Sequence, residues 1–192
     1  MDKVTFKVGE AGEELVMEYL RSRSCPVVDL QQIPEYQARD TDFAVFTPEG
    51  HWRTMEVKTD TIMHSTGNIM VEISMSRKTG VYNGWFYKCK ANILCYVDDY
   101  SGDIYFLPWP KLRDFTAERM EKEPSCVCSF LNPYDANCVG KGVLLNIKKH
   151  LLPNKLILKI AHSEMIKKVS GCENAGVRYE WGKNSSKLVI PA

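Results

Sequence analysis

The sequence contains no run of apolar residues that approaches the roughly 18 to 20 needed to cross a bilayer as a helix. Residues 1–10 are charged and show no hydrophobic signal region, so we expect a soluble, cytoplasmic protein with no membrane partner. Internal repeats and low-complexity tracts are also missing. The 192 residues, of which 44% are hydrophobic and 26% charged, therefore predict one globular domain with an elaboration, or at most two small domains.

Cysteine and histidine spacings typical of metal sites are also lacking. The seven cysteines are odd in number and irregularly spaced, which argues against a disulfide framework and favours reduced thiols. Cys126, Cys128 and Cys138 are the only candidates for structural zinc, and without a Cys-x-x-Cys pair their spacing does not favour it.

Charge is distributed unevenly along the chain. Residues 141–192 hold ten Lys and Arg against three Asp and Glu, whereas the residues before them hold fifteen against twenty-one. An acidic body with a basic tail is expected where carboxylates bind cations and lysines contact phosphates. A solvated basic face would give the same pattern.

Hydrophobic periodicity predicts alternating helices and strands. Apolar residues three and four apart predict an amphipathic helix over residues 6–23, and a nearly continuous apolar run predicts a buried strand over 91–97. Other predicted strands are 27–30, 42–46, 52–58, 68–73, 104–107, 143–147 and 156–160. Further predictions are helices within 80–90, 111–122 and 163–169, a hairpin near 183–186, and loops over 31–39 and 124–142.

The two strands 42–46 and 52–58 form a predicted hairpin around Pro48 and Gly50, with the three-residue loop and bulge that this turn chemistry favours. This register pairs Phe46 with Trp52 and brings Asp42 opposite Glu56, with Lys58 on the same face. Two carboxylates side by side repel each other, and a cation between them would relieve the repulsion.

Glu13 completes the predicted constellation. On the first helix it lies at the flank of the apolar stripe and can reach inward, while Gly9 one turn earlier leaves room for an ion or a phosphate. Carboxylate oxygens together with a substrate phosphate suit Mg²⁺ or Mn²⁺, and a lysine beside them can stabilise developing negative charge. Each residue also has a structural explanation, such as helix-dipole compensation for Glu13 or an ion pair between Lys58 and Asp40.

At these residues the sequence resembles the PD-(D/E)XK nuclease superfamily, whose restriction-endonuclease-like fold includes Holliday junction resolvases. The motif of a helical Gly-x-x-Gly-Glu, an Asp on a strand and Glu-x-Lys after a turn matches residues 9–13, Asp42 and residues 56–58. Thr41 stands where the family has proline. The resemblance implies that Glu13, Asp42 and Glu56 bind the metal with the Val57 carbonyl, and that Lys58 assists the attacking water.

The resemblance also implies an α/β fold, with a mixed central sheet flanked by helices and a C-terminal α/β elaboration. We accordingly expect a nuclease core over residues 1–123 and a basic elaboration over 124–192, packed on the same domain. Asp40 is an alternative metal ligand if the hairpin register slips, although it would then lie further from Glu56. Asn68 and Glu72 match an Asn-x-x-x-Glu pattern of some phage-type members, which makes Glu72 a candidate accessory acid.

Basic and aromatic residues alternate over residues 77–90, as expected of a segment that contacts phosphates and stacks on bases. We predict substrate contacts here from Lys78, Trp85, Lys88 and Lys90, although Trp85 would serve equally well in a core. The sequence thus predicts a metal-dependent nuclease acting on nucleic acid, DNA rather than RNA by resemblance, with a homodimer as one option. The alternatives are a catalytically silent nucleic-acid-binding or assembly subunit and an effector-binding protein with a structural ion.

Overall fold

A computed structural model describes residues 3–132, 135–162, 166–168 and 179–181. The helices are α1 (Lys3–Ser22), α2 (Pro34–Gln37), α3 (Met63–Thr66), α4 (Trp85–Lys88) and α5 (Trp109–Lys122), with a 3₁₀ turn at Pro124–Cys126 and a π turn at Ile147–Leu151. The strands are β1 (Val27–Asp29), β2 (Phe43–Phe46), β3 (Trp52–Asp60), β4 (Asn68–Arg77), β5 (Gly80–Asn83), β6 (Ile93–Asp98), β7 (Ile104–Pro108), β8 (Val127–Asn132), β9 (Asp135–Asn146), β10 (Lys159–Ala161), β11 (Ile166–Lys168) and β12 (Tyr179–Trp181).

Six strands form a mixed sheet in the order β1-β2-β3-β6-β7-β10. Only β3 and β6 run parallel, and the chain between them crosses over through α3, β4, β5 and α4. The strand β6 is buried along its whole length, as its apolar sequence predicts. The expected mixed α/β fold, with a central sheet flanked by helices, is therefore confirmed.

Helix α1 covers one face of this sheet. Its buried residues Leu15, Val16, Tyr19 and Leu20 recur at the helical spacing, and they pack with alternate residues of the sheet strands into one core cluster. The opposite face packs into a second cluster with α4, α5 and the second sheet. The polar residues Asp42, Glu56 and Lys58 lie on this second side of β2 and β3.

A second, four-stranded antiparallel sheet has the order β5-β4-β9-β8. One face of it carries Ile69, Val71, Val143 and Leu145, which are fully buried in the second cluster. The ladder between β4 and β9 shifts register between Glu72 and Ser74, because a bulge adds one residue to β4. Glu72 and Ser74 therefore lie on opposite faces of the sheet, and Met75 lies on the same face as Glu72.

Two predictions are wrong in this second sheet. The helix predicted within residues 80–90 is the strand β5 followed by the single turn α4, because Gly80, at a φ of 137°, closes a hairpin that pairs Val81 with Ser76. The loop predicted over 124–142 is the hairpin β8–β9. Gly140 lies in this ladder opposite Phe130, whose ring occupies the space where a side chain at Gly140 would project.

The C-terminal predictions have mixed outcomes. Residues 166–168 form the strand β11 rather than the predicted helix, and the rest of that helix and the hairpin near 183–186 lie outside the described residues. The predicted loop over 31–39 includes the short helix α2. Strands β8 and β9 join β4, and β10 pairs with β7, while the division at residue 123 stays a prediction. No helix in the described part of the chain is long and apolar enough to span a membrane.

Candidate active site

The hairpin β2–β3 has the predicted register. Phe46 pairs with Trp52 and Ala44 with Thr54, while the Thr47 N–H donates to the His51 carbonyl at 2.8 Å. Gly50 adopts a φ of 84°, the left-handed conformation that the predicted turn requires.

Asp42 lies immediately before β2 and is fixed to β3 at two points. Its backbone N–H donates to the Met55 carbonyl at 2.9 Å, and its Oδ2 accepts a hydrogen bond from the Val57 N–H at 2.7 Å. The carboxylate is therefore held against the backbone of β3 beside Glu56, and the register slip that would replace it with Asp40 does not occur.

Glu56 is the most buried acid of the group, with 3% of its surface exposed. Its Oε1 forms an ion pair with the Lys58 ammonium, two residues along on the same face of β3. Its Oε2 is buried and accepts no hydrogen bond from an N–H or O–H donor of the described residues, while the Glu56 and Asp42 carboxyl groups lie close enough to share a proton. An unsatisfied carboxylate oxygen is costly in a protein interior, so this atom is a candidate ligand for a cation.

Glu13 reaches the same site from α1. Its Oε2 accepts a hydrogen bond of 2.5 Å from the Gln31 amide, and the space beside Gly9 is open. The Gln37 amide in turn donates to the Gln31 carbonyl. Sequence reasoning missed both glutamines, because nothing distinguishes them from other polar residues of a loop.

Burial dominates the electrostatics of these acids. It raises the pKa of Glu13 to about 7 and that of Glu56 to about 8, with the charge of Asp42 adding to both shifts. Burial also raises the pKa of Asp42. For Lys58 burial alone would lower the pKa, but the Glu56 carboxylate outweighs it and raises the pKa, so the ammonium stays charged.

The side chains of Glu13, Asp42 and Glu56 line a cavity of about 370 Å³. Its walls come from α1, the loop around α2 and the hairpin β2–β3: Gly9, Glu10, Glu13, Gln31, Gln32, Gln37, Asp40, Thr41, Asp42 and Glu56. Asp40, in a left-handed conformation at a φ of 44°, adds another carboxylate to this wall. A larger cavity of about 480 Å³, between α5 and residues 149–154, shares none of these residues.

The chemistry of the site fits a hard divalent cation that keeps water and substrate oxygens as ligands. Within the described residues no three Asp, Glu, His or Cys side chains enclose an ion by themselves. Mg²⁺ rarely takes an all-protein cage, and it binds through one or two carboxylates together with phosphate oxygens. The orphaned Oε2 of Glu56 beside Asp42 supplies such a partial ligand set.

Glu72 on β4 approaches the site from the second sheet. Its carboxylate interacts electrostatically with Lys58, Lys88 and Asp40, and burial raises its pKa. The fold therefore brings this predicted accessory acid within range of the carboxylates. Asn68 is instead engaged with Asn146, whose amide donates to its Oδ1 at 3.0 Å.

The predicted substrate residues are distributed differently. Lys88 and Lys90 are exposed, and the Lys90 N–H donates to the Arg39 carbonyl at 2.9 Å, beside the loop that leads to Asp42. Lys78 is exposed in the turn between β4 and β5. Trp85 is only 8% exposed and its ring packs 5.0 Å from that of Trp109, so the structure places it in the core, the alternative that its sequence left open, and its contact with bases stays a prediction.

Comparisons with known proteins give little beyond the fold. No family model matches the chain, and no curated protein matches it. A solved structure of a bacterial homing endonuclease, I-Ssp6803I, is similar at 12% sequence identity and a TM-score of 0.45, over 57% of this chain and 72% of that one. None of these comparisons places the chain in a family.

Proposed function

We propose that this protein is a metal-dependent nuclease of the PD-(D/E)XK type, which hydrolyses phosphodiester bonds of nucleic acid, with DNA as the expected substrate. The observation that carries the proposal is the buried Oε2 of Glu56, which accepts no hydrogen bond from the described residues and belongs, with Asp42, to the lining of the cleft. Buried acids of like charge destabilise a fold unless a cation joins them, so their grouping indicates a functional site.

The ion expected in this cleft is Mg²⁺ or Mn²⁺, held by Glu13, Asp42 and Glu56 and the Val57 carbonyl, with Glu72 as an accessory acid. When bound, it would polarise a phosphoryl oxygen and lower the pKa of a water molecule. The Gln31 amide orients the Glu13 carboxylate, and the Val57 N–H orients that of Asp42. These hydrogen bonds fix the acids before substrate arrives, which lowers the cost of assembling the site.

Lys58 acts as a hydrogen-bond donor and a positive charge rather than as a base. The neighbouring carboxylates keep its ammonium protonated, and its contact with Glu56 holds it beside an acid that lines the cleft. From this position it orients the attacking water and stabilises negative charge on the phosphoryl oxygens.

Cleavage assays with a matched pair of variants test the proposal. Labelled linear duplex, single-stranded, four-way-junction and RNA substrates are incubated with Mg²⁺, Mn²⁺ or EDTA. The wild-type protein should cleave at least one of them in a metal-dependent way. Lys58→Ala should reduce the rate by about 100- to 1000-fold, the range for loss of one charge-stabilising donor. Glu13→Gln should behave similarly, whereas Glu14→Gln, at the exposed neighbouring position, should match the wild type.

Two outcomes would contradict the proposal. Full metal-dependent cleavage by Asp42→Ala would show that these carboxylates are not the catalytic site. Nucleic-acid binding of equal affinity in Mg²⁺ and EDTA, with no cleavage of any substrate, would instead favour the catalytically silent binding subunit.

A further inference from the structure

The four-stranded sheet has a second face whose side chains belong to neither core cluster of the described residues, although Cys138 at one end of this face is fully buried. Cross-strand pairing puts Tyr82, Met75, Gly140 and Phe130 in one row on this face, and Glu72, Gly142 and Cys128 in the next. We call it the outer face and define it by the side chains of Met70, Glu72, Met75, Tyr82, Cys128, Phe130 and Leu144. In the described part of the chain none of these side chains belongs to a core cluster.

Two glycines of β9 lie directly beneath side chains of this face. A Cβ atom at Gly140 would collide with three ring atoms of Phe130, so the ring covers the bare backbone of β9. Met70 covers Gly142 in the same way. These side chains lie on glycine rather than on a neighbouring side chain, and Phe130 is partly exposed in the middle of a strand.

Tyr82 is fixed at the edge of the same row. Its ring is 46% exposed, its hydroxyl donates to Thr79 Oγ1 at 2.8 Å, and the Arg77 guanidinium lies 6.0 Å from the ring centroid. Lys78 is exposed in the adjoining turn. An aromatic ring held in place beside cations is the arrangement that stacks a base and contacts its phosphate.

The outer face adjoins the candidate active site. Glu72 belongs to this face, and the next residue of β4, Ile73, accepts a hydrogen bond of 2.8 Å from the Gly84 N–H at the start of α4. Just after α4, the Lys90 N–H donates to the Arg39 carbonyl at 2.9 Å, next to Asp40 of the cleft. Along β4, Met75 follows Glu72 by three residues, a separation of about 10 Å. A nucleic-acid strand in the cleft therefore has the aromatic row within reach of its neighbouring nucleotides.

We propose that the outer face binds the unpaired bases of a single-stranded nucleic acid whose backbone continues into the carboxylate cleft. This inference rests on the proposed nuclease function and assigns its substrate class. A duplex keeps its bases stacked inside and offers only edges and phosphates, whereas Tyr82 and Phe130 present ring faces that any unpaired base can stack on. Arg77, Lys78 and Lys88 supply the positive charge that the backbone requires.

Binding measurements in EDTA separate recognition from cleavage. Fluorescence anisotropy would give the Kd of the full-length protein for labelled single-stranded DNA, RNA of the same sequence and duplex DNA. Quenching of 2-aminopurine within the strand would report stacking directly. The variants are Tyr82→Ser and Phe130→Leu, which keeps an apolar side chain over Gly140. The matched control is Tyr100→Ser, at a residue that is 76% exposed in the turn between β6 and β7.

The wild-type protein should bind single strands more tightly than duplex. The Kd values for single-stranded DNA and for RNA of the same sequence then show which of the two the protein prefers. Each of the two outer-face variants should bind single strands about tenfold more weakly and lose part of the 2-aminopurine quenching, while Tyr100→Ser should bind like the wild type. Unchanged affinity in both variants, or tighter binding of duplex, would overturn the inference.

Cleavage measured in parallel with Mg²⁺ distinguishes this inference from the nuclease proposal. Stacking that depends on Tyr82 and Phe130, without cleavage by the wild type, would support the outer face and refute the nuclease. Cleavage by the wild type that neither substitution weakens, in binding or in kcat/KM, would refute the outer face and leave the nuclease standing.

Discussion

The two sheets differ in how they contribute to the cleft. The six-stranded sheet is packed on both sides, and its few inward polar groups, including Asp42 and Glu56, are fixed by backbone hydrogen bonds and by an ion pair. The four-stranded sheet buries Ile69, Val71, Val143 and Leu145 on one face, whereas its outer face carries the partly exposed Phe130 and the exposed Tyr82 and Leu144 beside the buried Cys138. This contrast indicates a rigid sheet for chemistry and a one-sided sheet for contact with substrate, since reacting groups need precise positions and binding surfaces need exposure.

Neighbouring residues of β9 provide the sharpest test of the one-sided packing, and they carry the largest expected effect on stability. Leu145 is fully buried in the second cluster, whereas Leu144 points to the outer face and is 40% exposed. Leu145→Ala should lower the free energy of unfolding by about 2 to 5 kcal/mol, because it leaves a cavity in the core. Leu144→Ala should lower it by less than about 1 kcal/mol.

Denaturant unfolding followed by circular dichroism measures both changes. Equal losses for the two variants would mean that the outer face is packed as tightly as the inner one. In that case the contrast between the two sheets would disappear, and the outer face would lose its role as a binding surface.

Sequence reasoning succeeded where the determining interactions are local. The hairpin β2–β3 follows from Pro48, Gly50 and the alternation around them, and the helix α1 follows from its apolar spacing. It failed for β9, which pairs with β4 more than 60 residues earlier in the chain, and for β8, which pairs with β9. The side chains of Phe130 and Met70 pack on Gly140 and Gly142, which lie in the strand β9.

The candidate site divides along the same line. The grouping of Asp42, Glu56 and Lys58 follows from one local register, which the structure confirms. The contact between Gln31 and Glu13 could not be predicted, because it joins a loop to a helix without any sequence pattern. Trp85 was ambiguous for another reason: an aromatic residue among lysines is typical of a binding surface, but its neighbours in space are Trp109 and the second core.

The rigid carboxylate cleft should make stability depend on pH in a direction that is unusual for acids. Burial raises the pKa of Glu13 to about 7 and that of Glu56 to about 8, above their ordinary value of 4.5. The folded state therefore holds these protons more tightly than the unfolded state. Their contribution to stability is complete below about pH 4.5 and is lost as the pH rises towards 8.

Thermal unfolding in EDTA at pH 5 and pH 8 measures this effect by difference. From pH 5 to pH 8, the Tm of the wild-type protein should fall more than the Tm of Glu56→Gln, which cannot ionise at this position. Mg²⁺ or Mn²⁺ should raise the wild-type Tm more at pH 8 than at pH 5, because a cation favours the ionised acids. Parallel pH profiles for the two proteins, with no response to metal, would contradict the assignment of Glu56 to a cation site.

Substitutions at two glycines of α1 give the smallest expected effects. Gly9 lines the open cleft, whereas Gly12 is packed closely against β3. A Cβ atom at Gly12 would collide with the Thr59 hydroxyl and lie 3.2 Å from its Cβ atom, so Gly12→Ala must push α1 away from β3. It should destabilise the fold by about 1 to 3 kcal/mol. Gly9, one turn earlier, has nothing within 4 Å, and Gly9→Ala should stabilise the helix by up to about 1 kcal/mol. Because Gly9 lines the cleft beside Glu13, the same substitution should weaken metal-dependent cleavage severalfold. Unfolding and cleavage measured together on both variants would thus show whether the space at Gly9 is kept for a ligand, since a purely structural glycine would give a gain in stability with no loss of activity.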